Sequence, residues 1–171
     1  MLYAATEAKG AFAETLARFR PTAAMRHFPA EDQYMAVGAI PAEWRNRRQL
    51  VEFSLDDPLP FLDVDDPRTH GFLTSQMAPL LQGLDIGTLD VPAVRGSNRY
   101  LTRAIAQWAY AASTEDGTPL YSGLRYKSKL GEYECWAIFE GTQISSAVLQ
   151  AVSKTHDDLL AVARTFGLTI H

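Results

Sequence analysis

The feature that most constrains this chain is a pair of strand-like runs in its last third, separated by a short polar link: "GLRYKSKLGEYECWAIFE", residues 123–140. Residues 120–127 and 134–140 read as strands. A link this short leaves no room for a crossover helix, so the two runs pair as an antiparallel hairpin. The remaining strands and helices mix without strict alternation. Together these patterns predict an α+β domain with a mixed, partly antiparallel sheet and flanking helices, in place of a doubly wound sheet. The hairpin carries one serine, Ser128, between Lys127 and Lys129. It is either an ordinary hairpin or one whose serine and cations hold an anionic ligand.

Upstream, "LYAA" at 2–5 reads as a short strand, and Thr6 offers a cap for a helix over "EAKGAFAETLARF". Ala8, Phe12, Leu16 and Phe19 fall on one face of that helix, and Pro21 blocks its continuation. Glu14 points away from this face, with Glu7 and Arg18, toward solvent or a cleft. "QYMAVGAI" at 33–40 and "QLVEFSL" at 49–55 read as strands. The Pro- and Asp-rich stretch at 56–71 is expected to be mostly loop, with "FLDV" as a possible strand. Residues 72–82 predict a short or broken helix interrupted by Pro79. The clearest helix covers 97–113, capped by Ser97 or Asn98, with Leu101, Ala104, Ile105, Trp108 and Ala112 as its apolar stripe. A last helix, about 155–166, is expected to end before Gly167.

A chain of 171 residues, 47% hydrophobic and 21% charged, can bury a real core and suits a single domain over 1–171. The net charge of −4 gives no electrostatic reason to bind nucleic acid or an anionic membrane. The basic run "WRNRRQ" at 44–49 reads as a solvated turn. Cys135 is the only cysteine, so no internal disulfide can form. It lies in an apolar run and reads as a small buried hydrophobe. No apolar stretch reaches membrane-helix length, and the N-terminus lacks signal-peptide character, so a cytoplasmic protein is expected.

Several chemistries lack their residues. His27, His70, His156 and His171 are dispersed without metal-ligand spacing and read as surface or loop residues. The acidic run at 56–66 lacks the glycine and terminal glutamate of a calcium loop. No phosphate-binding glycine loop and no nucleophile elbow are present. Trp108 and Trp136 read as core residues, while Trp44 is ambiguous.

Three blocks, taken together and in order, resemble the RES domain family, named for its Arg, Glu and Ser signature residues. They are "LYAATEAKGAFAETLARF" at 2–19, "VRGSNRYLTRAIAQWAYAA" at 94–112, and the hairpin at 123–140. The resemblance implies an ADP-ribosyltransferase-like fold and a toxin of a bacterial toxin–antitoxin pair. It also implies NAD as substrate, consumed by hydrolysis, phosphorolysis or ADP-ribosyl transfer, with no metal, and a helix-turn-helix (Xre-type) antitoxin as partner.

Carried over by position, the signature Glu falls on Glu14, the signature Ser on Ser128, and the aromatic of the first strand on Tyr3. Glu14 would then stabilise positive charge on the ribose, and Ser128 would hydrogen-bond a ribose hydroxyl or a phosphate. Tyr3 would stack on a ring of NAD or belong to the core. Arg125, Lys127 and Lys129 could face a pyrophosphate, although alternation puts the two lysines opposite Ser128. The signature Arg belongs upstream of "LYAA", where this sequence has no counterpart, so the family's N-terminal segment is expected to be missing. Arg18, Arg20 or Arg26 are its candidate substitutes. The alternative to an active enzyme is an inactive or truncated RES-like domain that serves as a binding module.

Overall fold

The computed structural model describes residues 1–22 and 37–171. His27, Arg26 and the first half of the strand expected at 33–40 lie outside the described residues. In chain order the elements are β1 (Leu2–Ala5), α1 (Ala8–Leu16) with a 3-10 turn Ala17–Phe19, β2 (Ala39–Ile40), α2 (Ala42–Asn46), β3 (Gln49–Leu55), β4 (Phe61–Asp63), α3 (Pro67–Gln76), α4 (Ala78–Gly83), α5 (Val91–Arg95), α6 (Arg99–Ala111), β5 (Gly123–Lys127), β6 (Glu134–Ile138), β7 (Ile144–Ala151), α7 (Asp157–Phe166) and β8 (Thr169–Ile170). The chain divides into two compact units. One comprises Met1–Thr6 and Leu55–Gln143, the other Glu7–Ser54 and Ile144–His171.

The first unit is built on a four-stranded sheet in the order β1-β6-β5-β4. β6 runs antiparallel to both β1 and β5, while β4 runs parallel to β5, so the sheet is mixed as the sequence predicted. Directly paired residues share a face. One row runs Tyr3, Ala137, Leu124, Leu62 across the four strands. The last three of these are buried and pack with Leu73, Leu81, Leu101 and Ile105 of α3, α4 and α6. The neighbouring row, Ala4, Trp136, Arg125, Asp63, faces the other way. There Trp136 stands edge-on to Phe61 at 4.9 Å and is only half-buried, so it is not the core residue its apolar run suggested. Gly123 makes this packing possible: a Cβ there would sit 2.6 Å from the Phe61 ring and 2.2 Å from the Ala137 carbonyl oxygen.

The helices of this unit follow from their ends. Asn98 Oδ1 accepts from the amides of Tyr100 and Leu101 at 3.1 and 3.2 Å, so Asn98, not Ser97, caps α6. Leu101, Ile105 and Ala109 then recur on its buried face, with Ala104 and Trp108 at the margin of the core. Ala112 falls past the helix end. α3 begins five residues before the expected start because Asp66 caps it and Pro67 takes its first position. Arg68 holds the Asp66 carboxyl down to about 2 by a side-chain hydrogen bond. The helix expected over 72–82 is broken, as predicted: α3 ends at Gln76, and Pro79 lies in the first turn of α4, where its missing amide proton costs nothing. His70 departs from the surface or loop position expected for it. It lies on α3, buried, with Nε2 donating to the Val64 carbonyl at 2.7 Å.

In the second unit α1 lies against α7, with Phe12, Ala13 and Leu16 buried on one helix and Leu159, Val162, Ala163 and Phe166 on the other. His156 caps α7 through Nδ1 and meets the Phe12 ring edge-on at 5.1 Å. Gly167 at φ 67° ends that helix in the left-handed conformation. Thr6 does not cap α1, which starts after Glu7 without a side-chain cap. The basic run at 44–49 is not a solvated turn either. Trp44 is buried, with Arg48 stacked on its ring at 4.8 Å. Arg45 donates to the His171 carbonyl through Nε and Nη2 at 3.0 and 2.7 Å. β7, which the sequence reading missed, pairs with β3 and is exposed along its full length.

Candidate functional site

Glu14 lies in the last turn of α1, on its exposed side, as the apolar periodicity requires. It belongs to the second unit, whereas Tyr3 and Ser128 belong to the first.

Tyr3 occupies β1, the edge strand of the sheet. Its row partners Ala137, Leu124 and Leu62 are buried, yet Tyr3 itself is 69% exposed. Its ring is therefore a surface aromatic and not part of the core.

Ser128 follows β5 directly and continues the row of Leu124 and Tyr126. It is 3% exposed. Its amide donates to the Tyr133 carbonyl at 2.8 Å, and its Oγ accepts from the Leu130 amide at 2.9 Å. The hydroxyl thus shapes the turn between β5 and β6. In the sheet register Tyr3 and Ser128 lie two strands and four residue positions apart, roughly 16 Å by strand spacing and rise. They do not touch.

The opposite sheet face carries a charge network. Arg125 Nη1 donates to Asp63 Oδ2 at 2.8 Å, and its Nε donates to Glu134 Oε2 at 2.9 Å, with a second bond to the same oxygen from Nη2. Glu134 Oε1 accepts from the Thr6 hydroxyl at 3.0 Å, and Thr6 Oγ1 accepts from Trp136 Nε1 at 2.9 Å. The Arg125 guanidinium holds the Glu134 carboxyl below its usual range, and Glu134 in turn raises Arg125. Lys127 Nζ pairs with Glu132 at 3.0 Å. Arg125 and Lys127 are thereby committed to carboxylates, while Lys129 is exposed with no ion-pair partner among the described residues. The concavity within this network, lined by Asp63, Asp65, Arg125, Tyr126, Lys127 and Glu134, measures about 40 Å³. That is room for water and not for a nucleotide.

Of the arginines considered as substitutes for the signature Arg, Arg18 stacks on Phe19 at 4.7 Å and Arg20 on Phe166 at 4.5 Å. Among the described residues no group of His, Cys, Asp and Glu side chains is placed to hold a metal ion. No helix among them is long and apolar enough to cross a membrane. Sequence reasoning missed Asp65 and Glu134 and gave Thr6 a helix-capping role; the bonds of Asp65 to the Lys127 amide and of Thr6 to Glu134 span 62 and 128 positions and are made only by the strand register.

A family model described as RES domain matches residues 1–159 of the 171. No curated protein and no solved structure matches the chain.

Proposed function

The chain belongs to the RES domain family, and on that premise we propose that it consumes NAD by cleaving the bond between nicotinamide and ribose. The observation that carries this reading is the family match over 1–159, which takes in all three sequence blocks, the first holding Tyr3 and Glu14 and the third Ser128. RES domains are toxin-like and associated with NAD-related activity.

Departure of nicotinamide leaves positive charge on the ribose, as in glycoside cleavage. A carboxylate beside the ribose stabilises that charge, and Glu14 is the group assigned to it. Ser128 is assigned a hydrogen bond to a ribose hydroxyl or phosphate, and Tyr3 a stacking contact with one of the rings. Exposure of Tyr3 and Glu14 supports these roles, since neither side chain is consumed by the core. The proposal includes an ADP-ribosyltransferase-like fold, a cytoplasmic location and an antitoxin of the helix-turn-helix class as partner.

The test is incubation with NAD in phosphate-containing and phosphate-free buffer, with chromatography of nicotinamide and of the ADP-ribose product. Free ADP-ribose, its 1-phosphate or a modified protein identifies the acceptor. No nicotinamide above the buffer control overturns the reading.

A second reading, a RES-like binding domain without turnover, is favoured by one observation. Arg125 and Lys127, the cations that precede Ser128 along the strand, are already paired with carboxylates. It predicts NAD binding, or binding of a protein partner, with nicotinamide release at background.

A further inference from the structure

The parallel ladder between β4 and β5 is finished by a side chain at the residue next to Ser128. The Val64 amide donates to the Arg125 carbonyl at 3.0 Å. In a regular parallel ladder the next bond would run from the Lys127 amide to the Val64 carbonyl. That carbonyl accepts instead from His70 Nε2 at 2.7 Å, and the Lys127 amide donates to Asp65 Oδ2 at 2.5 Å. Asp65 is fixed from its other side by Arg95 at the end of α5, whose Nε donates to Oδ1 at 2.6 Å. The Asp65 and Arg95 side chains are only 13% and 27% exposed.

A carboxylate held by a guanidinium and accepting a backbone amide forms stronger, shorter bonds than a peptide carbonyl, and it has no rotamer freedom left. It ties the last residue of β5 to α5. The next residue is Ser128, whose amide and Oγ are both engaged within the turn that follows. The Ser128 turn is thus anchored at its entry by Asp65 and at its exit by the β6 strand.

We propose that Asp65, braced by Arg95, is the positioning residue for Ser128. The inference rests on the reading that Ser128 contacts NAD. A contact group must be held to within roughly 0.5 Å to be effective, and this is the role of the residues behind it.

The test compares wild type, Asp65→Ala, Asp65→Asn, Ser128→Ala and the Asp65→Ala/Ser128→Ala double variant in nicotinamide release, with hydrogen exchange at the Ser128 and Leu130 amides. Asp65→Ala is expected to lower kcat/KM on the order of 10-fold or more. Its change should divide between kcat and KM as that of Ser128→Ala does. Asp65→Asn, which keeps an oxygen for the Lys127 amide, recovers most of the loss. The double variant is no worse than Ser128→Ala alone. Faster exchange at Ser128 in Asp65→Ala completes the expectation. Wild-type rates in Asp65→Ala, or losses that multiply in the double variant, overturn the inference. If wild type itself releases no nicotinamide, the NAD-consuming reading fails separately. The exchange measurement then decides alone, and unchanged exchange at Ser128 overturns the positioning role. Should Asp65→Ala not fold, Arg95→Gln is read in the same way.

Discussion

Thr6 donates its hydroxyl proton to Glu134 Oε1 at 3.0 Å, which joins the residue after β1 to the adjacent strand β6. The same oxygen of Thr6 accepts from Trp136 Nε1 at 2.9 Å. Thr6→Val keeps the shape and removes both bonds. It is expected to lower stability in chemical denaturation by about 0.5–1.5 kcal/mol for each bond lost. Thr6→Ser should stay near wild type.

The Arg125–Glu134 pair gives stability a defined dependence on acid. The folded state holds Glu134 below its ordinary 4.5, chiefly through the Arg125 hydrogen bond. A carboxyl depressed in the folded state contributes stability that is fully present above its ordinary value and is lost as pH falls through the folded one. Denaturation midpoints should therefore fall below about pH 4.5 as the unfolded chain takes up the proton first. Glu134→Gln should be less stable at pH 7 and show a flatter decline between pH 5 and pH 3 (approximate limits of the window). A parallel decline in both proteins would contradict the assignment.

Gly123 is required by close approach and not by its backbone angles. A Cβ would meet the Ala137 carbonyl oxygen at 2.2 Å and the Phe61 ring at 2.6 Å. Gly123→Ala should cost about 1–3 kcal/mol or more, since the backbone of β6 cannot yield as a flexible side chain would. Near-ultraviolet circular dichroism should register the displaced Phe61–Trp136 pair, whose centroids lie 4.9 Å apart.

Asn98 satisfies two amides at the start of α6, the helix that supplies Leu101 and Ile105 to the core. Asn98→Ala should destabilise by about 0.5–2 kcal/mol in urea unfolding. Asn98→Asp or Asn98→Ser should restore most of that loss, because either side chain can accept the same amides.

The parts of this fold that could be read from sequence are those where burial imposes a period. The hairpin of β5 and β6 and the stripe on α6 follow that logic, and Gly167 marks the end of α7 by its own conformational freedom. β7 could not be found in this way, because all eight of its residues are exposed and no alternation marks them. α2 and α5 are five residues each, too short to show a helical period. The early start of α3 was hidden by composition: Asp66 and Pro67 look like loop residues, yet a capping acid followed by proline is also how a helix begins. His70 was misplaced for the same reason. Tyr3, Glu14 and Ser128 are candidates only through family resemblance, since nothing in their spacing sets them apart. Asp65 lies 62 positions from the amide it accepts, so only strand register reveals it.

The central claim is that Glu14 stabilises the ribose as nicotinamide leaves, and the most direct measurement is the rate of nicotinamide release by Glu14→Gln beside wild type. Glu14 is exposed, so the amide should fold with a thermal midpoint close to that of wild type. The account predicts measurable release by wild type and a fall of about 10²-fold or more in the variant, the scale of losing one preorganised charge contact. Equal rates in the two proteins, with both folded, would contradict it.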